Sequence, residues 1–209
     1  MKNAWDFLAK GGITMIPLFL CSVAALAVVI EKALSLRRRR VILPEVVGVL
    51  ENVREANDFG LAASICEKHR GPFATIIRLC LENRGLPREE IKEALLDQGR
   101  QEVHQLEKGL GVLETVAGIA PLLGLLGTVL GILKVFKIIS VMGVGQATAL
   151  AGGISEALIS TITGLFIGIP ALVAYNYYGQ KAETLVLEIE KHSNRLLAKI
   201  HALNGRPEA

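Results

Sequence analysis

Residues 154–171 read ISEALISTITGLFIGIPA, a run apolar enough to lie in a membrane that nevertheless carries Glu156 and the hydroxyls of Ser155, Ser160, Thr161 and Thr163. A charged side chain at the centre of a membrane helix costs about 2.5–3.5 kcal/mol on insertion scales, so it normally faces protein or water. Counting back about 20 residues from Tyr175 places Glu156 at the outer edge of the hydrocarbon core, where an interfacial acid near a helix start is the plain structural alternative. Glu156, Ser160 and Thr163 stand at i, i+4 and i+7 on one stripe, while Thr161 lies about 140° from Glu156 and about 7.5 Å deeper. Each threonine either bonds the carbonyl four residues back on its own helix or orders water in a polar lumen. No Asp, Glu, His, Lys or Arg occupies the middle of any long apolar run. A proton crossing through this chain therefore needs its central carboxylate from a partner.

Other chemistries find little support. The four histidines never pair at metal-ligand spacing, and Cys21, Cys66 and Cys80 show neither a C-x-x-C nor a disulfide pattern, so packed, reduced thiols and no metal are expected. Neither a nucleophile–base pair nor a phosphate-binding loop appears, so no enzyme is expected. The 23 basic residues nearly balance 20 acidic ones, which gives no reason to expect nucleic acid. With 51% hydrophobic residues and a mean hydropathy of +0.44, a membrane protein is the expected class.

Three spans must position these residues. The first, 13–30, has the length a bilayer of about 30 Å requires; it lacks the small-x-small site of a cleaved signal and ends in EKALSLRRRR, where Arg37, Arg38, Arg39 and Arg40 form a cytoplasmic topology anchor. The second covers 115–133 and the third 149–178, closed by Tyr175, Tyr177 and Tyr178. Residues 1–12 then form a short periplasmic N-terminus, 134–148 a periplasmic loop with only Lys134 and Lys137 charged, and 179–209 a basic cytoplasmic C-terminal helix. Between the first two spans, 31–114 reads as a cytoplasmic helical domain with turns at NDFG and HRGPF and a helix start at NRGLPREE, where Pro87, Glu89 and Glu90 suit a first turn. The absence of proline from Pro87 to Pro121 predicts one helix running into the second span. Leu185, Ile189, Leu196, Ile200 and Leu203 follow a near-heptad, either a coiled-coil seam or an amphipathic tail.

Small residues mark both later spans: Gly118, Gly124, Gly127 and Gly131 in the second, Gly153, Ala157, Gly164 and Gly168 in the third. They let helices approach closely, which is compatible with a pore wall. The expected fold is an all-α integral membrane protein with three transmembrane helices and long cytoplasmic helical extensions.

GIAPLLGLLGTVLGI at 118–132 followed by GISEALISTITGLFIGIPALVAYN at 153–176 resembles the paired signatures of the ExbB/TolQ/MotA proton-channel family, and the three-span layout resembles its ExbB/TolQ branch rather than the four-span MotA stators. The resemblance implies a homopentamer in the bacterial inner membrane, with N-terminus periplasmic and C-terminus cytoplasmic. Its second and third spans would line a central pore around an ExbD- or TolR-like single-span partner that supplies the proton-binding aspartate. Thr128, Thr161 and Glu156 match the family's proton-pathway positions; Ser160 and Thr163 are possible pore-lining neighbours without that match, and Gly124, Gly127, Gly131, Gly164 and Gly168 fall to helix packing. Protons would be the coupling ion, with no cofactor, and the output would be motor work on a TonB- or TolA-like protein. A TolQ-like envelope-maintenance role and a non-conducting membrane scaffold stand as alternatives. A small-solute transporter would want a midplane site that Pro121 and Pro170 alone do not provide.

Overall fold

The computed structural model describes residues 11–52, 58–69, 71–143 and 147–204, and among them the chain is helical with no strand. The helices are α1 (Met15–Ser35), α2 (Arg38–Val41), α3 (Pro44–Asn52), α4 (Asp58–Lys68), α5 (Pro72–Glu82), α6 (Arg88–Glu107), α7 (Leu110–Met142) and α8 (Ala147–Asn204). Three of them, α1, α7 and α8, are long and apolar enough to cross a membrane. The expected all-α membrane architecture is thus present. Nothing is described of residues 1–10, on which most of the expected N-terminal segment falls.

Two compact units form, one from the chain up to Glu31 with Gly109–Tyr177, the other from Lys32–Lys108 with the chain from Tyr178 onward. In the first unit α1, α7 and α8 meet through small or short side chains, among them the buried Ala25, Ala120, Ala157 and Ala171. Their outward faces are apolar, with Phe19, Leu122 and Phe166 all more than 60% exposed. Such a surface is stable only against lipid or other protein.

The second unit has the large-residue core of a water-facing domain. Phe59, Phe73, Ile77, Leu81, Ile91 and Ile200 are all fully buried. Pro72 opens α5 at a first-turn position after Gly71, as the HRGPF turn predicts, although Arg70 lies outside the described residues. At NDFG, of which Asn57 lies outside the described residues, the last three residues are helical where a turn is expected. Asp58 begins α4 and Phe59 is a fully buried helical residue, because an acid favours a helix start and the phenyl ring gains more from the core than a turn would give. The stripe Leu185, Ile189, Leu196 and Ile200 is no more than 4% exposed within this unit. The chain's own short helices cover that seam: Phe73 meets His192 edge-on at 5.4 Å, and Lys199 Nζ donates to the Leu50 carbonyl at the end of α3 at 2.7 Å.

Two helix boundaries also depart from expectation. The helix from Pro87 does not run unbroken into the second span: α6 stops at Glu107, and Gly109, at φ 91°, takes the left-handed backbone that glycine adopts without strain. The break deprives the Leu106 carbonyl of a helical donor, and the buried ammonium of Lys32 donates to it at 3.0 Å. In the other direction, α7 continues nine residues beyond Leu133 to Met142, so most of the expected loop 134–148 is helical. Nothing between Lys134 and Met142 breaks a helix; Gly143, at φ 77°, is the first residue that does.

Candidate functional site

On α7 the small residues Ala120, Gly124, Gly127 and Gly131 recur at i, i+4, i+7 and i+11, and on α8 Ala157, Thr161, Gly164 and Gly168 recur with the same spacing. The two stripes face each other in an antiparallel pair. A Cβ on Gly124 would stand 3.0 Å from the Ser160 carbonyl oxygen and 3.1 Å from Thr161 Cα. On Gly131 it would stand 2.8 Å from Ala157 Cβ, and on Gly168 2.7 Å from the ring of Pro121. Gly164 meets Gly124 backbone to backbone, with 2.9 Å between its would-be Cβ and Gly124 Cα. Gly118, by contrast, has open space where a Cβ would stand among the described residues.

The close approach brings Thr128 and Thr161 together. Their hydroxyls are in hydrogen-bond contact, Thr161 Oγ1 donates to the Gly124 carbonyl at 3.1 Å, and Thr128 Oγ1 lies 3.3 Å from the Ala157 carbonyl. Both side chains are half-buried. A hydroxyl that donates to backbone still offers lone pairs to an incoming donor, so the pair can relay a hydrogen bond as well as fasten two helices.

Ser160, one residue away, points elsewhere. It is fully buried, its Oγ lies 2.7 Å from Thr14 Oγ1, and Gly127 leaves room for both, since a Cβ there would collide with Ser160. Burial under Thr14, in the turn before α1, leaves Ser160 off the exposed surface, contrary to the expectation from its stripe. Thr163 is half-buried and donates to its own Ile159 carbonyl at 2.8 Å, the local helix bond open to any membrane threonine.

Glu156 occupies the far end of the seam. Lys134 Nζ donates to its Oε2 at 2.6 Å, with side-chain exposures of 59% for Lys134 and 23% for Glu156. Gly12, at φ 74°, passes so close that a Cβ there would strike the carboxylate. These residues, with Ile138, Gly152 and Gly153, line a recess of about 620 Å³. Between that ion pair and the threonines no charged side chain intervenes on either helix. Of the arginine run, Arg38 is paired, Nε donating to Glu188 at 3.0 Å, while Arg37, Arg39 and Arg40 are exposed.

The structure brings the expected Thr128 and Thr161 together and sets the expected Glu156 at the end of the same seam, and it adds Lys134, Thr14 and Gly12, which were not among the expected site residues. Lys134 was legible in principle: it lies nine residues before Gly143 and Glu156 nine after Ala147, so an antiparallel helix pair sets them level. Thr14 has no such signal, because only the packing of α1 determines its neighbour.

The sequence is similar to those of known proteins. The family model described as the MotA/TolQ/ExbB proton channel family matches residues 68–191. The chain is 33% identical over 180 residues to the biopolymer transport protein ExbB-like 3 of Synechocystis sp., a match covering 80% of this chain and 81% of that protein. It is 37% identical over 101 residues to the Tol-Pal system protein TolQ of Pseudomonas aeruginosa, covering 48% and 44% of the two chains. With the biopolymer transport protein ExbB of Xanthomonas campestris pv. campestris it shares 36% identity over 108 residues, 52% of this chain and 43% of the other. With its three apolar helices and its two matched small-residue stripes, the chain belongs to the MotA/TolQ/ExbB proton channel family, in the ExbB/TolQ branch of biopolymer transport.

Proposed function

We propose that this chain is the proton-conducting subunit of an inner-membrane motor, assembled as a pentamer around the transmembrane helices of an ExbD- or TolR-like partner and working on a TonB- or TolA-like protein. The N-terminus faces the periplasm and the C-terminus the cytoplasm. The observation that carries this reading is the Thr128–Thr161 hydroxyl pair, half-exposed at a seam whose spans hold no charge at mid-depth. Such a wall provides hydrogen bonds without trapping an ion, and the proton-binding carboxylate comes from the partner. A proton crossing the membrane releases about 2.3 kcal/mol per 100 mV, and a carboxylate that alternately ionises and protonates beside the threonines converts that energy into movement of partner against ring.

The test is potential-driven proton flux in proteoliposomes holding this chain and its single-span partner. Thr128→Val, Thr161→Val and the partner's aspartate changed to asparagine are each expected to lower the flux at unchanged assembly. Unchanged flux in all three, or an equal leak from this chain alone, overturns the reading. A second reading, a non-conducting scaffold, draws on the bond from Thr161 to the Gly124 carbonyl, which suits pure packing. It predicts that the valine variants lose thermal stability and that the wild type carries no flux.

A further inference from the structure

At 1.5 Å per residue the 21 residues of α1 span about 32 Å, close to the hydrocarbon thickness of about 30 Å. Its exposed side chains are apolar from Ile16 to Ile30, and the exposed Glu31 is the first charge on that face, so lipid covers it along the helix up to about that point. The helix ends at Ser35, and Arg37–Arg40 follow at the depth where hydrocarbon gives way to headgroups.

The four arginines are not equivalent. Glu188 neutralises Arg38. Arg37 turns its Nε back to the Ala33 carbonyl at 3.4 Å, a contact that leaves its charge uncompensated. Arg39 and Arg40 are exposed, and among the described residues no carboxylate makes an ion pair with Arg37, Arg39 or Arg40. Two acids of this unit are engaged elsewhere: Glu188 with Arg38, and Glu45 with His69 at 2.8 Å. Three exposed guanidinium side chains within four consecutive residues therefore have no ion-pair partner among the described residues. Guanidinium binds phosphate oxygens through paired donors, and each basic residue near an anionic membrane surface contributes about 1 kcal/mol.

We infer that Arg37, Arg39 and Arg40 form a binding surface for the headgroups of anionic phospholipids, selecting phosphatidylglycerol-type over zwitterionic lipid. This goes beyond a topology signal, which acts during insertion and is indifferent to lipid class afterwards. It holds whether or not the chain conducts protons.

The experiment is native mass spectrometry of the full-length protein released from detergent, titrated with phosphatidylglycerol or phosphatidylcholine at equal concentrations. Wild type is expected to bind phosphatidylglycerol more tightly. Arg39→Gln/Arg40→Gln is expected to lose about thirtyfold of that affinity, from about 1 kcal/mol per basic residue, with phosphatidylcholine binding unchanged. Arg88→Gln/Lys92→Gln, which removes the same charge from the exposed face of α6, should behave as wild type. The wild-type preference should also weaken as ammonium acetate rises through about 0.1–1 M, where the screening length shrinks from about 10 Å to 3 Å. That measurement needs no variant and decides the matter if the double variant misfolds. No preference in the wild type, a salt-independent preference, unchanged binding in Arg39→Gln/Arg40→Gln, or an equal loss in the α6 control each overturns the inference.

Discussion

Lys134 on α7 donates a 2.6 Å hydrogen bond to the carboxylate of Glu156 on α8, joining the two apolar helices at the end where their connection lies. Because Lys134 is mostly exposed, the pair is worth little more than other accessible ion pairs, about 0.2–1 kcal/mol of coupling. A double-mutant cycle of Lys134→Met and Glu156→Gln, followed by thermal unfolding in detergent, should return a coupling in that range. A coupling well above it would mean that the pair is desolvated by a neighbouring chain.

The glycine seam predicts a sharp contrast between neighbouring positions. Gly164→Ala drives a methyl group into the Gly124 backbone and should destabilise by about 1–3 kcal/mol, as overpacking does. Gly118→Ala meets nothing among the described residues and should be neutral or gain up to about 1 kcal/mol of helix propensity. Thermal melts of both variants check the contrast. A large loss at Gly118 would reveal a second chain covering that face.

The α6–α7 break gives a pair of local predictions. Gly109→Ala places a β-carbon at φ 91° and should cost about 1–2 kcal/mol. Lys32→Met leaves the Leu106 carbonyl without its ammonium donor and should cost about 1–3 kcal/mol. Chemical denaturation monitored by circular dichroism measures both. Stability equal to wild type in Gly109→Ala would mean that α6 and α7 can join into one helix at no cost.

Two thiols carry a pH dependence. Burial pushes Cys66 up to about 11 and Cys80 to about 12, against an ordinary 9.0. Neither should react with maleimide at pH 7.5 in the folded protein. A thiol whose folded value is raised favours the folded state below the unfolded value and loses that advantage as pH climbs towards the folded one. Stability should therefore fall from pH 9 to about 12, and Cys66→Ala/Cys80→Ala should flatten that limb in urea titrations at each pH.

The sequence by itself determined the membrane helices, because a long uncharged run must bury its backbone bonds in a helix once water is gone. Thr128 and Thr161 stood out together in the sequence through the family resemblance, and that their hydroxyls meet follows from the close approach of the α7 and α8 backbones at Gly124 and Gly164. The tertiary structure alone decided which hydroxyl faces which neighbour. Ser160 and Glu156 share a helical stripe, yet Ser160 disappears under Thr14 because the turn that leads into α1 packs there, and no periodicity within α8 records where that turn lies. It likewise decided that α6 and α7 separate at Gly109. Helix propensity is a local quantity and favours continuity by fractions of a kcal/mol per residue, whereas the buried Lys32 that caps the broken end lies more than 70 residues away in the chain.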